Sequence, residues 1–131
     1  MAKTLTEITQ LDVLVIEDNL GDYFLLEEYL KESFENIFIN HCANFNTAID
    51  FIKNNRNKIS VIFSDLHLPD SSDIELVQNL LLHADSTPII LLSGHKNEKI
   101  VQESKKLGVS NLLMKDDLNP NILKETIEFV V

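Results

Sequence analysis

The chain has 131 residues, of which 44% are hydrophobic and 24% are charged, proportions that are typical of a soluble globular protein and exclude a disordered one. This length suits one domain, so we expect residues 1–131 to form a single domain with a core from about residue 10 onward. The formal net charge of −10, with no basic run longer than Lys105-Lys106, argues against binding of nucleic acid by this chain.

The N-terminal stretch MAKTLTEITQ lacks the apolar segment of a signal peptide, and no apolar run in the sequence approaches the length of a membrane span. The single cysteine, Cys42, cannot form an internal disulfide and is compatible with a reducing compartment. We therefore expect a cytoplasmic protein that does not bind a membrane.

The first half of the chain alternates apolar runs with amphipathic segments. Leu11–Ile16 contains VLVI, a continuous apolar run that is typical of a parallel strand buried on both faces. Apolar residues at helical spacing then predict a helix from about Leu20 to Phe34. A second strand is predicted at Ile37–Cys42, and Asn44 is placed to cap a second helix.

The same alternation continues through the middle of the chain. Ile59–Ser64 is the third predicted strand. The helix predicted after it carries Ile74, Val77 and Leu81 on its apolar side. A fourth strand is predicted at Ile89–Leu92.

The last third of the chain adds two helices and one strand. Asn97 is expected to cap the fourth helix, and Gly108 to end it. A short fifth strand is predicted at Asn111–Met114. Asn119-Pro120 then supplies a cap and a proline for the first turn of the last helix, from Ile122 to about Val130.

Five strands that alternate with five helices predict an α/β fold, a five-stranded parallel sheet with helices on both faces. In such sheets, ligands bind beyond the C-terminal ends of the strands. Polar residues stand at four of these ends: Glu17, Asp18, Asp65, Ser93 and Lys115. Each of them alone has a simple structural explanation, such as an acid that opens a loop, but their combination indicates a site.

Three carboxylates at one sheet edge repel one another, by roughly 4 kcal/mol for two charges about 4 Å apart at an effective dielectric constant of about 20. A divalent cation would offset this repulsion, and a site with few protein ligands, all of them oxygen, suits Mg²⁺. Without the ion, at least one of the carboxyl groups should have a raised pKa.

Such a site could transfer a phosphoryl group. A carboxylate oxygen of Asp65 could attack a phosphoryl donor and form an aspartyl phosphate. The charge on the transferred group would then be stabilised by the ion, by the Lys115 ammonium and by the Ser93 hydroxyl.

Four stretches, VLVIEDN, VIFSDLHLPD, IILLSG and LLMKDD, resemble in order and separation the receiver domain of two-component response regulators. The resemblance implies a (βα)5 flavodoxin-like fold and Mg²⁺ as cofactor. It also implies a histidine kinase or phosphotransfer protein as phosphoryl source and a downstream protein target that the sequence does not identify. The chain would be a phosphoacceptor that assists its own phosphorylation and dephosphorylation, and not an enzyme.

The resemblance also implies a role for each site residue. Asp65 matches the phosphorylated aspartate, Ser93 the switch hydroxyl and Lys115 the phosphate-binding lysine. The implied metal ligands are the side chains of three acids and the backbone carbonyl of one residue further on: Glu17, Asp18, Asp65 and His67.

The sequence departs from the family pattern at three positions. Asp116 follows Lys115 where the family commonly has a proline after a cis bond, so we expect a trans bond here. Leu112 stands at the position of a switch aromatic, which weakens any aromatic-switch mechanism. Asp73 occupies a position where glycine is frequent and adds a charge near the rim of the site.

Two histidines lie two residues beyond site residues, His67 after Asp65 and His95 after Ser93. One interpretation is that both are exposed loop residues without a role. The alternative is that they alter dephosphorylation by blocking or ordering the attacking water.

Three other functions are compatible with parts of the pattern. A hydrolase of the haloacid-dehalogenase kind also uses an aspartyl nucleophile, but it needs a second acid two residues later, where this chain has His67. A flavin-binding electron carrier would need a hydroxyl-rich phosphate loop after the first strand, where Glu17-Asp18-Asn19 would repel phosphate. A receiver that has lost signalling and serves only for docking is the third.

Overall fold

A five-stranded parallel sheet forms the centre of the computed structural model, which describes residues 10–131. Its strands are β1 (Leu11–Ile16), β2 (Ile37–Cys42), β3 (Val61–Asp65), β4 (Ile89–Ser93) and β5 (Asn111–Met114). They lie in the order β2-β1-β3-β4-β5, and every neighbouring pair is parallel. This strand order reverses direction between β1 and β3, and in doubly wound folds ligands bind at that point.

Five helices connect the strands and cover both faces of the sheet. They are α1 (Leu20–Ser33), α2 (Phe45–Asn54), α3 (Asp73–Ala84), α4 (Glu98–Leu107) and α5 (Pro120–Val130). Alternate residues of each strand face opposite helices: Val13 and Val15 pack in one cluster with α1 and α5, while Leu14 and Ile16 pack in the other with α2 and α3. The predicted α/β fold with helices on both faces is therefore confirmed.

The three inner strands are buried along almost their whole length because helices cover them on both sides. All residues of β3 and β4 are buried, including the polar residues Ser64, Asp65 and Ser93. This continuous burial explains why the sequences of these strands are apolar runs and do not alternate between apolar and polar residues. Within the described part of the chain, no helix combines the length and the apolar character that a bilayer crossing requires.

Asparagine side chains cap four of the helices. Asn19, Asn44, Asn97 and Asn119 each accept a hydrogen bond from a backbone N–H in the first turn of the following helix. Gly108 ends α4 with a φ of 110°, a left-handed conformation that suits glycine. The predicted caps at Asn44, Asn97 and Asn119 and the predicted glycine stop are confirmed.

Some element boundaries and one buried face differ from the predictions. β3 begins two residues later than predicted and includes Asp65, and α5 begins at Pro120 because proline is itself the first helical residue. The buried residues of α3 are Leu76, Val77, Leu80 and Ala84. Of the predicted stripe, Val77 is buried and Leu81 is partly buried against the core, whereas Ile74 is only partly buried and the deepest residues Leu76 and Leu80 were not predicted. Helix α3 carries apolar residues on more than one side, so spacing alone does not select the residues that are buried most deeply.

Candidate functional site

The acid pair of the site follows β1 directly. Glu17 is buried, with an exposed fraction of 1%, and its backbone N–H donates to the carbonyl of Cys42 on the neighbouring strand. The side chain oxygen Glu17 Oε2 accepts a hydrogen bond of 3.2 Å from the backbone N–H of Asn19. Asp18 is exposed. The start of α1 therefore fixes one carboxylate inside the protein and leaves the next at its surface.

Asp65 is the last residue of β3 and lies beside this pair. Its exposed fraction is 6%, and its two carboxylate oxygens have different partners. Oδ1 accepts from the backbone N–H of His67 at 3.1 Å, and Oδ2 accepts from Lys115 Nζ at 2.9 Å. One oxygen from each of Glu17, Asp18 and Asp65 lies within 4.8 Å of the other two. Acids from two strand ends thus meet at one point, as the parallel sheet predicted.

Lys115 follows β5 and extends its ammonium group among these acids. Nζ lies 2.7 Å from Glu17 Oε1, 2.8 Å from Asp22 Oδ2 and 2.9 Å from Asp65 Oδ2. Burial acts to lower the pKa of Lys115, but hydrogen bonds to Asp22, Glu17 and Asp65 outweigh it and raise this pKa above its ordinary value. The ammonium group therefore remains charged over the whole physiological pH range.

One lysine does not neutralise the charge of the three acids, and the pKa of Glu17 is raised as a result. Burial, followed by the hydrogen bond to Asp65, raises the pKa of Glu17 to about 7, although the bond to Lys115 acts to lower it. This agrees with the prediction that one carboxyl group has a raised pKa when no divalent ion is present. A set of carboxylate oxygens around one point, with more negative than positive charge, fits a hard divalent cation such as Mg²⁺.

The loop after Asp65 is held in place from both ends. His67-Leu68 pairs with Ser71-Ser72 in a short antiparallel hairpin. Asp70, in the turn of this hairpin, accepts hydrogen bonds of 2.8 and 2.9 Å from the first two backbone N–H groups of α2, those of Phe45 and Asn46. Asp70 is exposed, and the slight desolvation that acts to raise its pKa is outweighed by these bonds, so the pKa lies below its ordinary value.

Ser93 ends β4, the strand that pairs with β3 through Asp65 and Leu92. Its hydroxyl group is turned into its own loop: Oγ donates to the carbonyl of His95 at 2.6 Å and accepts from the His95 backbone N–H at 3.2 Å. The sheet therefore brings Ser93 to the same edge as the acids, but the hydroxyl bonds to His95 and not to Asp65.

Beside Ser93 lies a cavity of about 260 Å³, whose lining includes His67, Asp73, His95 and Leu112. His67 Nδ1 lies 3.6 Å from Asp73 Oδ1, and both side chains are about half exposed. Asp73 has a φ of 53°, in the left-handed region that favours glycine, which explains why glycine suits this position. No cis peptide bond occurs in residues 10–131, so the bond between Lys115 and Asp116 is trans as predicted.

Sequence reasoning missed two residues that contact the site. Asp22, in the first turn of α1, binds Lys115; its position in the first turn of the predicted helix, four residues after Asp18, was the available signal. His41 on β2 places Nε2 2.7 Å from the backbone carbonyl oxygen of Glu17, and its ring stacks on Tyr23 with centroids 3.8 Å apart. Nothing in the local sequence around His41 indicates this contact.

Comparison with known proteins gives a consistent result. Residues 13–128 match the family model of the response regulator receiver domain. The two-component response regulator ARR10 of Arabidopsis thaliana is 28% identical over 103 residues, which are 79% of this chain and 18% of that protein. The methanogenesis regulatory protein FilR1 of Methanothrix harundinacea is 26% identical over 106 residues, 80% of this chain and 24% of that protein. The chain thus spans about a quarter or less of the length of these curated relatives.

Solved structures agree in fold. A response regulator receiver domain protein from Clostridium thermocellum superposes with a TM-score of 0.81 at 18% identity, covering 92% of this chain and 93% of that one. The signal receiver domain of a putative LuxO repressor protein from Vibrio parahaemolyticus gives a TM-score of 0.78 at 27% identity, with coverages of 92% and 88%. The same flavodoxin-like arrangement of five strands and five helices occurs in each.

Proposed function

The chain belongs to the response regulator receiver domain family, and from this premise we propose that it accepts a phosphoryl group on Asp65 and signals by the conformational change that follows. The family match covers residues 13–128, so the haloacid-dehalogenase alternative is not supported. In this proposal, residues 1–131 act as one receiver domain, a phosphoacceptor that assists its own phosphorylation and dephosphorylation without being an enzyme.

The observation that carries the proposal is the meeting of three carboxylates and one ammonium group at the sheet edge. Asp65 is held by two hydrogen bonds, one from the His67 backbone and one from Lys115. An oxygen fixed in this way is oriented before a phosphoryl donor arrives, which lowers the entropic cost of the reaction. Carboxylates within 4.8 Å of one another repel, and this repulsion favours a functional cluster over three acids that only open loops.

The residues proposed to hold Mg²⁺ are Glu17, Asp18 and Asp65, with the backbone carbonyl of His67 as a further ligand. Their carboxylate oxygens match the preference of this ion, and their charge exceeds that of the single nearby ammonium. A bound ion supplies positive charge to the oxygens of the transferred group.

In the reaction, an Asp65 oxygen forms a bond to phosphorus while the bond between phosphorus and the donor breaks, and the electron pair of that bond leaves with the donor. Lys115 contacts Asp65 already and would donate to an oxygen of the transferred group. Ser93 would have to leave the carbonyl of His95 to donate to another oxygen. That exchange of hydrogen bonds is the proposed link between phosphorylation and the shape of the neighbouring surface.

The proposed partners are a sensor histidine kinase or a phosphotransfer protein as donor and another protein as downstream target. One structural relative is a CheX–CheY–BeF3–Mg²⁺ complex from Borrelia burgdorferi, with a TM-score of 0.81 at 19% identity. The net charge of −10 favours a basic protein surface over nucleic acid or an acidic membrane as partner. The buried free thiol of Cys42 suits a reducing setting, and we propose the cytoplasm.

The test is incubation of the chain with Mg²⁺ and a small phosphodonor such as acetyl phosphate, followed by intact mass. We expect the wild-type chain to gain one phosphoryl group and Asp65→Asn to gain none. Asp50→Asn is the matched control, because Asp50 is an exposed acid on α2, away from the site. Equal phosphate gain by Asp65→Asn, or no gain by any variant, would contradict the proposal.

A further inference from the structure

Lys115 has three acidic partners, and the family pattern accounts for two of them. An ammonium group has three N–H donors, and here Glu17, Asp22 and Asp65 each accept at 2.7–2.9 Å. Glu17 and Asp65 follow strands and belong to the carboxylate cluster. Asp22 belongs to helix α1 and is not one of the three acids whose oxygens lie within 4.8 Å of one another.

The three partners differ in what else they must bind. Glu17 and Asp65 are also the residues whose oxygens would hold Mg²⁺, and Asp65 would in addition bear the phosphoryl group. Each of these tasks uses carboxylate lone pairs that now face Lys115, and the ion would repel the ammonium group. In residues 10–131, the Asp22 carboxylate accepts a hydrogen bond from Lys115 alone, so it can keep this bond throughout.

Asp22 is also well placed to keep this contact. Its backbone N–H donates to the Asn19 cap at 2.9 Å, which fixes the first turn of α1. The next residue, Tyr23, and Leu26 one turn on are buried against the sheet. The carboxylate of Asp22 therefore projects from a fixed backbone toward the rim of the site, where its side chain is 46% exposed.

We infer that Asp22 is a positioning residue for Lys115. By holding one N–H donor at the rim, it keeps the ammonium group beside Asp65 when the other two carboxylates turn to their own ligands. The two remaining donors then face the oxygens of the transferred group. This inference rests on the proposed phosphorylation of Asp65.

The first experiment compares phosphorylation rates with acetyl phosphate at saturating Mg²⁺. We expect Asp22→Asn to react between about 3- and 30-fold more slowly than wild type, a smaller loss than removal of an electrostatic donor itself would cause. Asp22→Glu should recover most of the rate, because it restores the charge on the same turn. Glu28→Gln, an exposed acid of the same helix, is the control for net charge and should react like wild type.

The second experiment measures Mg²⁺ affinity by calorimetry in the same variants. Asp22 is not a metal ligand and its side chain is about half exposed, so its charge is screened by solvent, and we expect the dissociation constant of Asp22→Asn to stay within about twofold of wild type. A parallel loss of affinity and rate would overturn the inference, because Asp22 would then act through the metal.

A third measurement needs no phosphoryl transfer. Denaturant midpoints of wild type, Asp22→Asn, Lys115→Met and the double variant form a double-mutant cycle. We expect the two substitutions to be non-additive both in chelator and in saturating Mg²⁺. Additive effects in Mg²⁺ would overturn the inference.

The outcomes separate the two proposals. A wild-type chain that takes up no phosphate would overturn the proposed function and the role of Asp22 with it. A wild-type chain that is phosphorylated at Asp65, together with an Asp22→Asn variant that reacts at the same rate, would overturn only the role of Asp22.

Discussion

The two halves of the site differ in how firmly their groups are held. In the acidic half, formed by Glu17, Asp18, Asp65 and Lys115, short ion pairs join three of the four side chains. In the switch half, formed by Ser93, His95 and Leu112, the Ser93 hydroxyl bonds to its own loop and a cavity of about 260 Å³ lies beside it. Helix α4 borders this cavity, and Ser104 is its one fully buried residue.

This difference suggests a division of labour. Chemistry requires groups that are oriented in advance, because a misplaced donor stabilises the transition state poorly. A signal requires an element with two arrangements of similar free energy, and weakly packed elements are the ones that change at low cost. The ion pairs of the acidic half suit the first requirement, and the cavity beside the Ser93 loop suits the second.

The largest effect should come from removing the cation of the acidic half. Lys115→Met should slow phosphorylation by acetyl phosphate about 100- to 1000-fold, because the transferred group loses an electrostatic partner. The same change should strengthen Mg²⁺ binding, because a competing positive charge has left the carboxylates. Phosphodonor time courses and calorimetric Mg²⁺ titrations measure both effects. Lys124→Met, an exposed lysine of α5, is the control, and parallel changes in rate and affinity would contradict the prediction.

A smaller effect should appear as pH dependence in the acidic half. The pKa of Glu17 is raised from 4.5 to about 7, so its contribution to the stability of the metal-free chain is complete below pH 4.5 and is lost as the pH rises through about 7. In the proposed site, Mg²⁺ would bind the ionised form of Glu17. Its affinity should therefore rise about tenfold per pH unit up to about pH 7 and then level off.

Calorimetric titrations at a series of pH values check this dependence. Glu17→Gln cannot ionise and should remove most of it, at the cost of weaker binding at high pH. An affinity in the wild-type chain that does not change with pH would show that Glu17 is not the group that competes with the ion.

A still smaller effect is expected for the two histidines at the border between the halves. If His67 and His95 block or order the attacking water, His67→Ala and His95→Ala should each change the dephosphorylation rate between about 2- and 10-fold. The rate is followed by the decay of the phosphorylated mass after removal of the phosphodonor. His83→Ala, on α3, is the control, and two rates equal to that of the wild type would remove the hypothesis.

The smallest effect on phosphorylation should come from the switch half. Ser93→Ala should still load phosphate, within about a factor of three of the wild-type rate, because the acidic half is unchanged. The conformational response to phosphorylation should be smaller, since alanine has no hydroxyl group that could move from the His95 carbonyl to the phosphoryl group. Backbone amide shifts of α4 before and after loading measure this response, with Ser110→Ala as control. Amide shift changes in Ser93→Ala as large as those of the wild type would contradict the proposed division between the acidic half and the switch half.

The sequence was sufficient for most of the fold because local and global signals agree. The boundaries of β1, β2 and β5 were predicted to the residue, since each is a mainly apolar segment that lies between polar or loop segments. Asparagine caps set the starts of α2 and α4. The buried face of α3 was predicted only in part, because the apolar residues of this helix exceed one stripe and its packing against the sheet decides which of them are buried.

The sequence predicted which residues lie at the site, because they follow strand ends, but it did not predict the contacts between their side chains. Glu17, Asp18, Asp65 and Lys115 could be placed together because parallel strands end at one edge. The contact between Asp22 and Lys115 joins residues 93 positions apart, and it depends on the packing of α1 against the sheet. The hydrogen bond of the Ser93 hydroxyl to His95 is likewise a property of the folded loop, which no residue pattern specifies.

The position of Lys115 also bears on whether the chain folds before or after it binds a metal ion. Its ammonium group bridges Glu17, which follows β1, and Asp65, the last residue of β3, and so offsets a repulsion that would otherwise oppose the pairing of these strands. We therefore expect a newly synthesised chain to complete its sheet without magnesium, so that the ion of the proposed site would bind to an already folded protein. We expect a chelating agent to empty such a site without unfolding the protein, in contrast to zinc fingers, whose folding requires their metal.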